Sequence, residues 1–316
     1  MRAKVDINEN MITWAIARAG YDLHKFLLSS PKIKDWVDKK KQPTIKQLEK
    51  FSHKVHIPFG YLFLQKPPEE ILPIPFFRTE NSNESVSLNV YDTIQLIQRR
   101  QVWLKNYLKD NDYKKLNFVG KYNNKSDIGE IALDISRTLG LDESWARDFQ
   151  TWEKALDYLS QKVEERGIIL TFNSVVENNN SRQIDVNDCR GFVLVDDIVP
   201  FMFVNSADGK AAQMFTIVHE LAHIWVGESA GFDFRQLQPA NDPTKKLCDK
   251  VAAEFLVPEL QFKVAWRKQQ NFIRLAREFK VSPIVIARRS LDLGYITKTD
   301  FFGFYNAYIT EVKIKK

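Results

Sequence analysis

The run MFTIVHELAHIWV at residues 214–226 decides how this chain is read. Met214, Ile217, Leu221 and Ile224 recur at helical spacing, which predicts a helix over Gly209–Val226 with one apolar side turned to a core. Inside it stands HExxH, His219 to His223. Residues four apart lie one above the other on a helix face, so both imidazoles can reach a single metal ion. Glu220, beside the first histidine, is placed to take a proton from activated water and pass it to a leaving amine. The 316-residue chain holds five histidines, and two of them form this pair. That scarcity favours a metal site over the alternative, two histidines that only satisfy hydrogen bonds in a core.

Three β-branched or aromatic runs precede the helix: GIILTFN (167–173), RGFVLVDD (190–197) and VPFMFVN (199–205). They read as strands of one small sheet, with the polar NNNS at 178–181 as a turn after the first. RGFVLVDD and VPFMFVN are expected near the active helix, where an edge strand would hold an extended peptide by main-chain hydrogen bonds. KKLCDKVAAEFLVP (245–258) predicts a second helix around Lys246–Leu256, ending near Pro258. Helical patterns also fill residues 85–165 and recur in NFIRLAREF (271–279) and SPIVIARRSLDLG (282–294). The fold class expected is α+β, mostly helical.

The front of the chain is different. Residues 1–66 carry thirteen Lys/Arg against six Asp/Glu, a net charge of +7, while the whole chain is +6. All the excess positive charge is therefore in the first fifth, which is either a solvated basic face or an electrostatic footprint for nucleic acid. Short helices are expected there: MITWAIARAG stopping at Gly20, DLHKFLLSS capped by Asp22, PKIKDWV opened by Pro31, and TIKQLEKFSHKVH after Pro43-Thr44. Prolines at 67, 68, 73 and 75 mark an extended connector. The division read from these signals is 1–66, a connector at 67–84, a main domain at 85–260 and a helical segment at 261–316. No apolar run approaches the ~20 residues of a membrane helix. The two cysteines, Cys189 and Cys248, lie far apart without CxxC spacing, and no secretory h-region opens the chain. A cytoplasmic protein is expected, and any metal must be held by His, Asp or Glu.

The runs NSADGKAAQMFTIVHELAHIWVG (205–227) and CDKVAAEFLVP (248–258) resemble the ImmA/IrrE family of metallopeptidases. ITWAIARAG, QPTIKQLEKF and HIPFGYLFLQKPPEEILPIPFFRT (56–79) resemble the Xre-type helix-turn-helix module fused to some members. The resemblance implies a gluzincin-like Zn2+ endopeptidase that cleaves a transcriptional repressor after stress. It implies His219 and His223 as zinc ligands and Glu220 as the general base. The family's third ligand is usually a Glu four residues before an Asn or Asp on the second helix. Asp249 matches that later position, which orients a ligand histidine, and Lys245 stands where the Glu would be. A lysine repels the ion, so Asp249 itself becomes the nearest substitute ligand, with Glu254 behind it. The front module departs as well, with Trp36-Val37-Asp38-Lys39-Lys40-Lys41 after the expected recognition helix. Lys32, Lys34, Lys39, Lys40, Lys41 and Lys46 are the candidate phosphate contacts on duplex DNA.

Two readings result. The first is a zinc endopeptidase acting on a repressor or antitoxin-like partner protein. The second is a DNA-binding regulator or antitoxin component that uses a metallopeptidase-like scaffold, with Lys245 and the basic front in its favour and the intact HExxH against it.

Overall fold

The computed structural model describes residues 4–69, 87–232 and 242–314. Among them, residues 4–69 and 87–91 form one compact unit, and residues 92–232 and 242–314 a second. The connector expected at 67–84 lies outside the described residues from residue 70 onward.

The first unit holds α1 (Glu9–Arg18), α2 (Leu23–Ser29), α3 (Pro31–Val37) and α4 (Ile45–Lys54), followed by a 3₁₀ turn at Phe59–Phe63. Local chemistry sets their ends. Asn8 and Asp22 accept hydrogen bonds from the first-turn N–H groups of Asn10 and Lys25, and Pro31 opens α3. Thr44 and Gln47 close a reciprocal cap on α4. Ile12, Ile16, Phe26, Trp36, Leu48, Phe51 and Leu62 pack as its core.

The helix α5 (Leu88–Asp110) contributes residues 92–110 to the second unit. There α6 (Ile128–Leu139) and α7 (Trp152–Glu164) lead into β1 (Ile169–Asn173), β2 (Val175–Val176), β3 (Asn179–Gln183), β4 (Gly191–Leu194) and β5 (Phe201–Asn205). Then come α8 (Lys210–Val226), β6 (Ala230–Phe232), α9 (Pro243–Leu256), α10 (Glu259–Lys268), α11 (Phe272–Phe279), α12 (Pro283–Asp292) and α13 (Lys298–Ile314). The three expected strands do share one sheet, in the order β1-β5-β4-β6. β1 runs parallel to β5, and β4 runs antiparallel to both β5 and β6. The structure corrects the edge-strand expectation here. Among the described residues β4 and β5 are internal, and the sheet edges are β1 and β6. The NNNS stretch is not a plain turn either: the chain reverses at Glu177, in the left-handed region with φ 54°, so that β3 pairs back on β2.

Residues beyond 260, set apart in the sequence, share the core of this unit. Phe262, Trp266, Leu275, Phe279 and Ile286 cluster with Ile131, Leu159, Met202 and the apolar side chains of α8. α8 is the centre of that cluster. From residue 216 to 226 every side chain is buried, as expected for a helix that packs on all its sides. Gly227 ends it in the left-handed conformation at φ 82°, donating to the His223 and Ile224 carbonyls. Gly120 and Tyr122 donate to the carbonyls of Ile224 and Trp225, each at 3.0 Å, and Phe118 stacks on Trp225 with ring centroids 4.4 Å apart.

The sheet approaches this helix most tightly at Gly191. A Cβ there would lie 2.4 Å from Thr216 Cγ2 and 2.7 Å from the Phe203 carbonyl oxygen. Gly191→Ala is expected to destabilise the protein by about 1–3 kcal/mol through overpacking. Adding Thr216→Ser, which removes the opposing methyl, should restore part of the loss. Urea denaturation measures both; an unchanged midpoint for Gly191→Ala would contradict this packing.

Candidate functional site

The HExxH residues lie on the third and fourth turns of α8, inside the core. His219 and His223 are each 1% exposed and Glu220 is fully buried. The helical repeat brings His219 Nε2 and His223 Nε2 to 3.2 Å from each other. Two nitrogens bound to one zinc at ~2.0–2.1 Å and a tetrahedral angle stand about 3.3–3.4 Å apart, so the pair already has close to the spacing of two ligands of one ion. The other ring nitrogen of His219, Nδ1, lies 2.9 Å from Asp249 Oδ1 on α9. That approach is made by the ring nitrogen opposite the Nε2 atom paired with His223.

Glu220 is the most costly group in the unit. Neither carboxylate oxygen has a hydrogen-bond partner among the described residues. Burial pushes its pKa well above the usual value of 4.5; the charge of Lys245 pulls the other way, and that of Asp249 adds to the rise. Burial likewise holds the His223 imidazole well below its usual range, with His219 and Lys245 adding to the effect and the Glu228 backbone opposing it. A buried neutral imidazole is the form that binds a metal. The two ring nitrogens therefore suit one ion, and Glu220 follows the first of them on the same helix.

The third ligand is a different matter. Among the described residues, no group of three or more His, Cys, Asp or Glu side chains is arranged to hold an ion. Asp249, expected as a possible ligand, has its Oδ1 2.9 Å from His219 Nδ1, the ring nitrogen that is not paired with His223. Glu254 is tied to Arg289. Lys245 sits in the first turn of α9, because that helix begins at Pro243, three residues before the expected Lys246, with Asp242 accepting from the N–H groups of Thr244 and Lys245. It is one helical turn before Asp249 on the same face, and its charge is felt at both Glu220 and His223.

One supporting residue went unnoticed in the sequence. Asp134 on α6 accepts from Trp225 Nε1 at 2.8 Å and from Lys121 Nζ at 2.7 Å, fixing the end of α8 just past His223. It lies 91 positions from Trp225, and nothing in its local pattern marks it.

The candidate DNA contacts of the first unit are all exposed. Three are neutralised locally: Lys39 pairs with Glu9, Lys40 with Asp38 and Lys41 with Asp35, at 3.0, 2.9 and 2.8 Å. Lys32 and Lys34 on α3 and Lys46 on α4 have no carboxylate partner among the described residues. The basic run therefore presents less bare charge than its composition promises.

The electrostatics of Glu220 give a pH signature in metal-free protein. A carboxyl whose folded pKa is raised stays protonated in the fold while the unfolded chain ionises, so stability is lost as pH rises above about 4.5 toward the raised value. Glu220→Gln removes that loss, and the variant should gain on the wild type progressively as pH rises above about 4.5. Parallel denaturation curves, with a difference that does not grow with pH, would contradict the buried, unpartnered carboxylate.

No curated protein matches the chain. Residues 163–291, from the end of α7 to α12 and with the HExxH helix inside them, match the family model of the IrrE N-terminal-like domain (Peptidase_M78), which supports the likeness to ImmA/IrrE proteins and suggests a metallopeptidase-like fold for that stretch.

Proposed function

We propose that the chain is a cytoplasmic zinc-dependent endopeptidase whose substrate is a partner protein, a repressor or antitoxin-like factor in gene regulation or stress response. One observation carries the reading: two buried Nε2 atoms 3.2 Å apart beside a buried carboxylate with no hydrogen-bond partner. A core that served packing alone would not leave Glu220 in that state. His219 and His223 are the residues that would hold zinc, which supplies Lewis acidity toward water and the scissile carbonyl. Asp249 keeps the His219 ring in the tautomer and orientation that point Nε2 inward. Glu220 takes the proton from water and delivers it to the leaving amine, and its raised affinity for protons suits a base that must also act as an acid. Neither cysteine forms a disulfide, in keeping with a reducing compartment, and no helix among the described residues is long and apolar enough to cross a membrane.

Lys245 favours the second reading, a regulator that uses the peptidase-like unit as a scaffold. Its cation stands near the place where a third ligand is needed. Zinc-supplemented wild type and Glu220→Gln, incubated with a pool of unstructured peptides, separate the two readings. The enzyme reading expects cleavage by wild type alone, with equal zinc in both proteins, because Gln removes the base and not a ligand. Zinc bound without cleavage, or cleavage that survives Glu220→Gln, would contradict it.

The first unit is proposed to bind duplex DNA as a helix-turn-helix module, through Lys32, Lys34 and Lys46 rather than through the neutralised Lys39–Lys41 run. Removing one lysine–phosphate pair lowers the slope of log affinity against log salt by ~0.9. Changing the first three lysines to alanine should flatten that slope, and changing the run should flatten it less. Equal effects would contradict the assignment.

A further inference from the structure

The outer face of α5 carries a stack of exposed aromatic rings that nothing in the peptidase reading uses. Trp103 is 68% exposed and Tyr107 55%, with their rings nearly parallel at 11° and centroids 6.1 Å apart. They stand one turn apart, and Arg99 lies one turn before Trp103, so the three form a column about 12 Å long on one helix face. Arg100 and Asn106 flank the column; all five residues are exposed, and Asp110 is the one carboxylate at its far end. The opposite face fixes the helix. Ile94 and Ile97 are buried there, and Gln101 Nε2 donates to the carbonyls of Leu194 and Val199 at 2.8 and 3.1 Å. The rings are thus held outward on a rigid support. Neither guanidinium has an ion pair or hydrogen bond among the described residues.

We infer that this face of α5 is a binding platform for single-stranded nucleic acid. Two flat aromatic rings bracketed by guanidinium groups suit unpaired bases, each of which has a π-face to stack, and a backbone of phosphates that pairs with Arg99 and Arg100. An apolar protein surface laid on the same face would bury both guanidinium groups without acceptors, which opposes that occupant. The platform is separate from the lysines proposed for duplex DNA, and it does not depend on metal at His219 and His223.

The test is fluorescence anisotropy of the full-length protein with labelled oligothymidylate and oligouridylate of about 15 nucleotides, a length within a single-strand site. Binding is expected at low salt, and Trp103→Ala or Tyr107→Ala should each weaken it ~5-fold or more, since each removes a stacking surface. Arg99→Ala and Arg100→Ala should each lower the salt slope by ~0.7. A preference for either oligomer supports the platform and names DNA or RNA as its source. All four residues are exposed, so unchanged urea midpoints are expected and confirm that the variants fold. No binding at low salt would overturn the inference. So would unchanged affinity in Trp103→Ala and Tyr107→Ala, or a duplex of the same length competing as well as the single strand.

Discussion

Two imidazoles on one face of the buried stretch of α8, with a carboxylate next to the first, constrain everything around them. Apolar neighbours on every side make α8 a stable centre for the second unit, yet the same neighbours make His219, Glu220 and His223 expensive to bury. Asp249 meets part of that cost at His219 Nδ1. The two Nε2 atoms stand 3.2 Å apart, at a spacing that one cation would satisfy. The tight approach of Gly191 to Thr216, the amides of Gly120 and Tyr122 on the last carbonyls, and the Trp225–Asp134 bond all serve to hold this helix in one position. The family match over residues 163–291 covers α8, Gly191 and α9, while Gly120, Tyr122 and Asp134 lie before it.

Much of this was legible along the chain because its causes are local. Periodicity located α8, and the i, i+4 rule put both histidines on one face. Asp22, Pro31 and Thr44 marked helix starts through capping chemistry that acts within three residues. The β-branched runs named β1, β4 and β5. Features that depend on distant partners escaped. The order of the sheet, which makes β4 and β5 internal, follows from pairing and not from composition. β6 is three residues long, and β3 is polar, so neither carries a strand pattern. Asp249 matches the position that orients a ligand histidine and is also the nearest substitute ligand, and only the packing of α9 on α8 shows its carboxylate 2.9 Å from His219 Nδ1. The run Lys39–Lys41 looked like bare charge because Glu9, Asp35 and Asp38 fold back on it only in three dimensions.

Lys245 gathers the opposing forces in the site. At the N-terminal turn of α9 a cation is in the less favourable place relative to the helix dipole, and it stands one turn from Asp249, near a carboxylate that burial keeps neutral. Its charge favours the ionised form of Glu220, against the effect of burial, and opposes protonation of His223.

The central claim, that His219 and His223 together hold a metal ion, is tested most directly by competition between the protein and a zinc chelator. The account predicts measurable zinc binding by the wild type that falls by orders of magnitude in His223→Ala, because a site with two protein nitrogens cannot spare one. Zinc affinity unchanged by the loss of His223, or no zinc bound by the wild type under saturating supply, would contradict it.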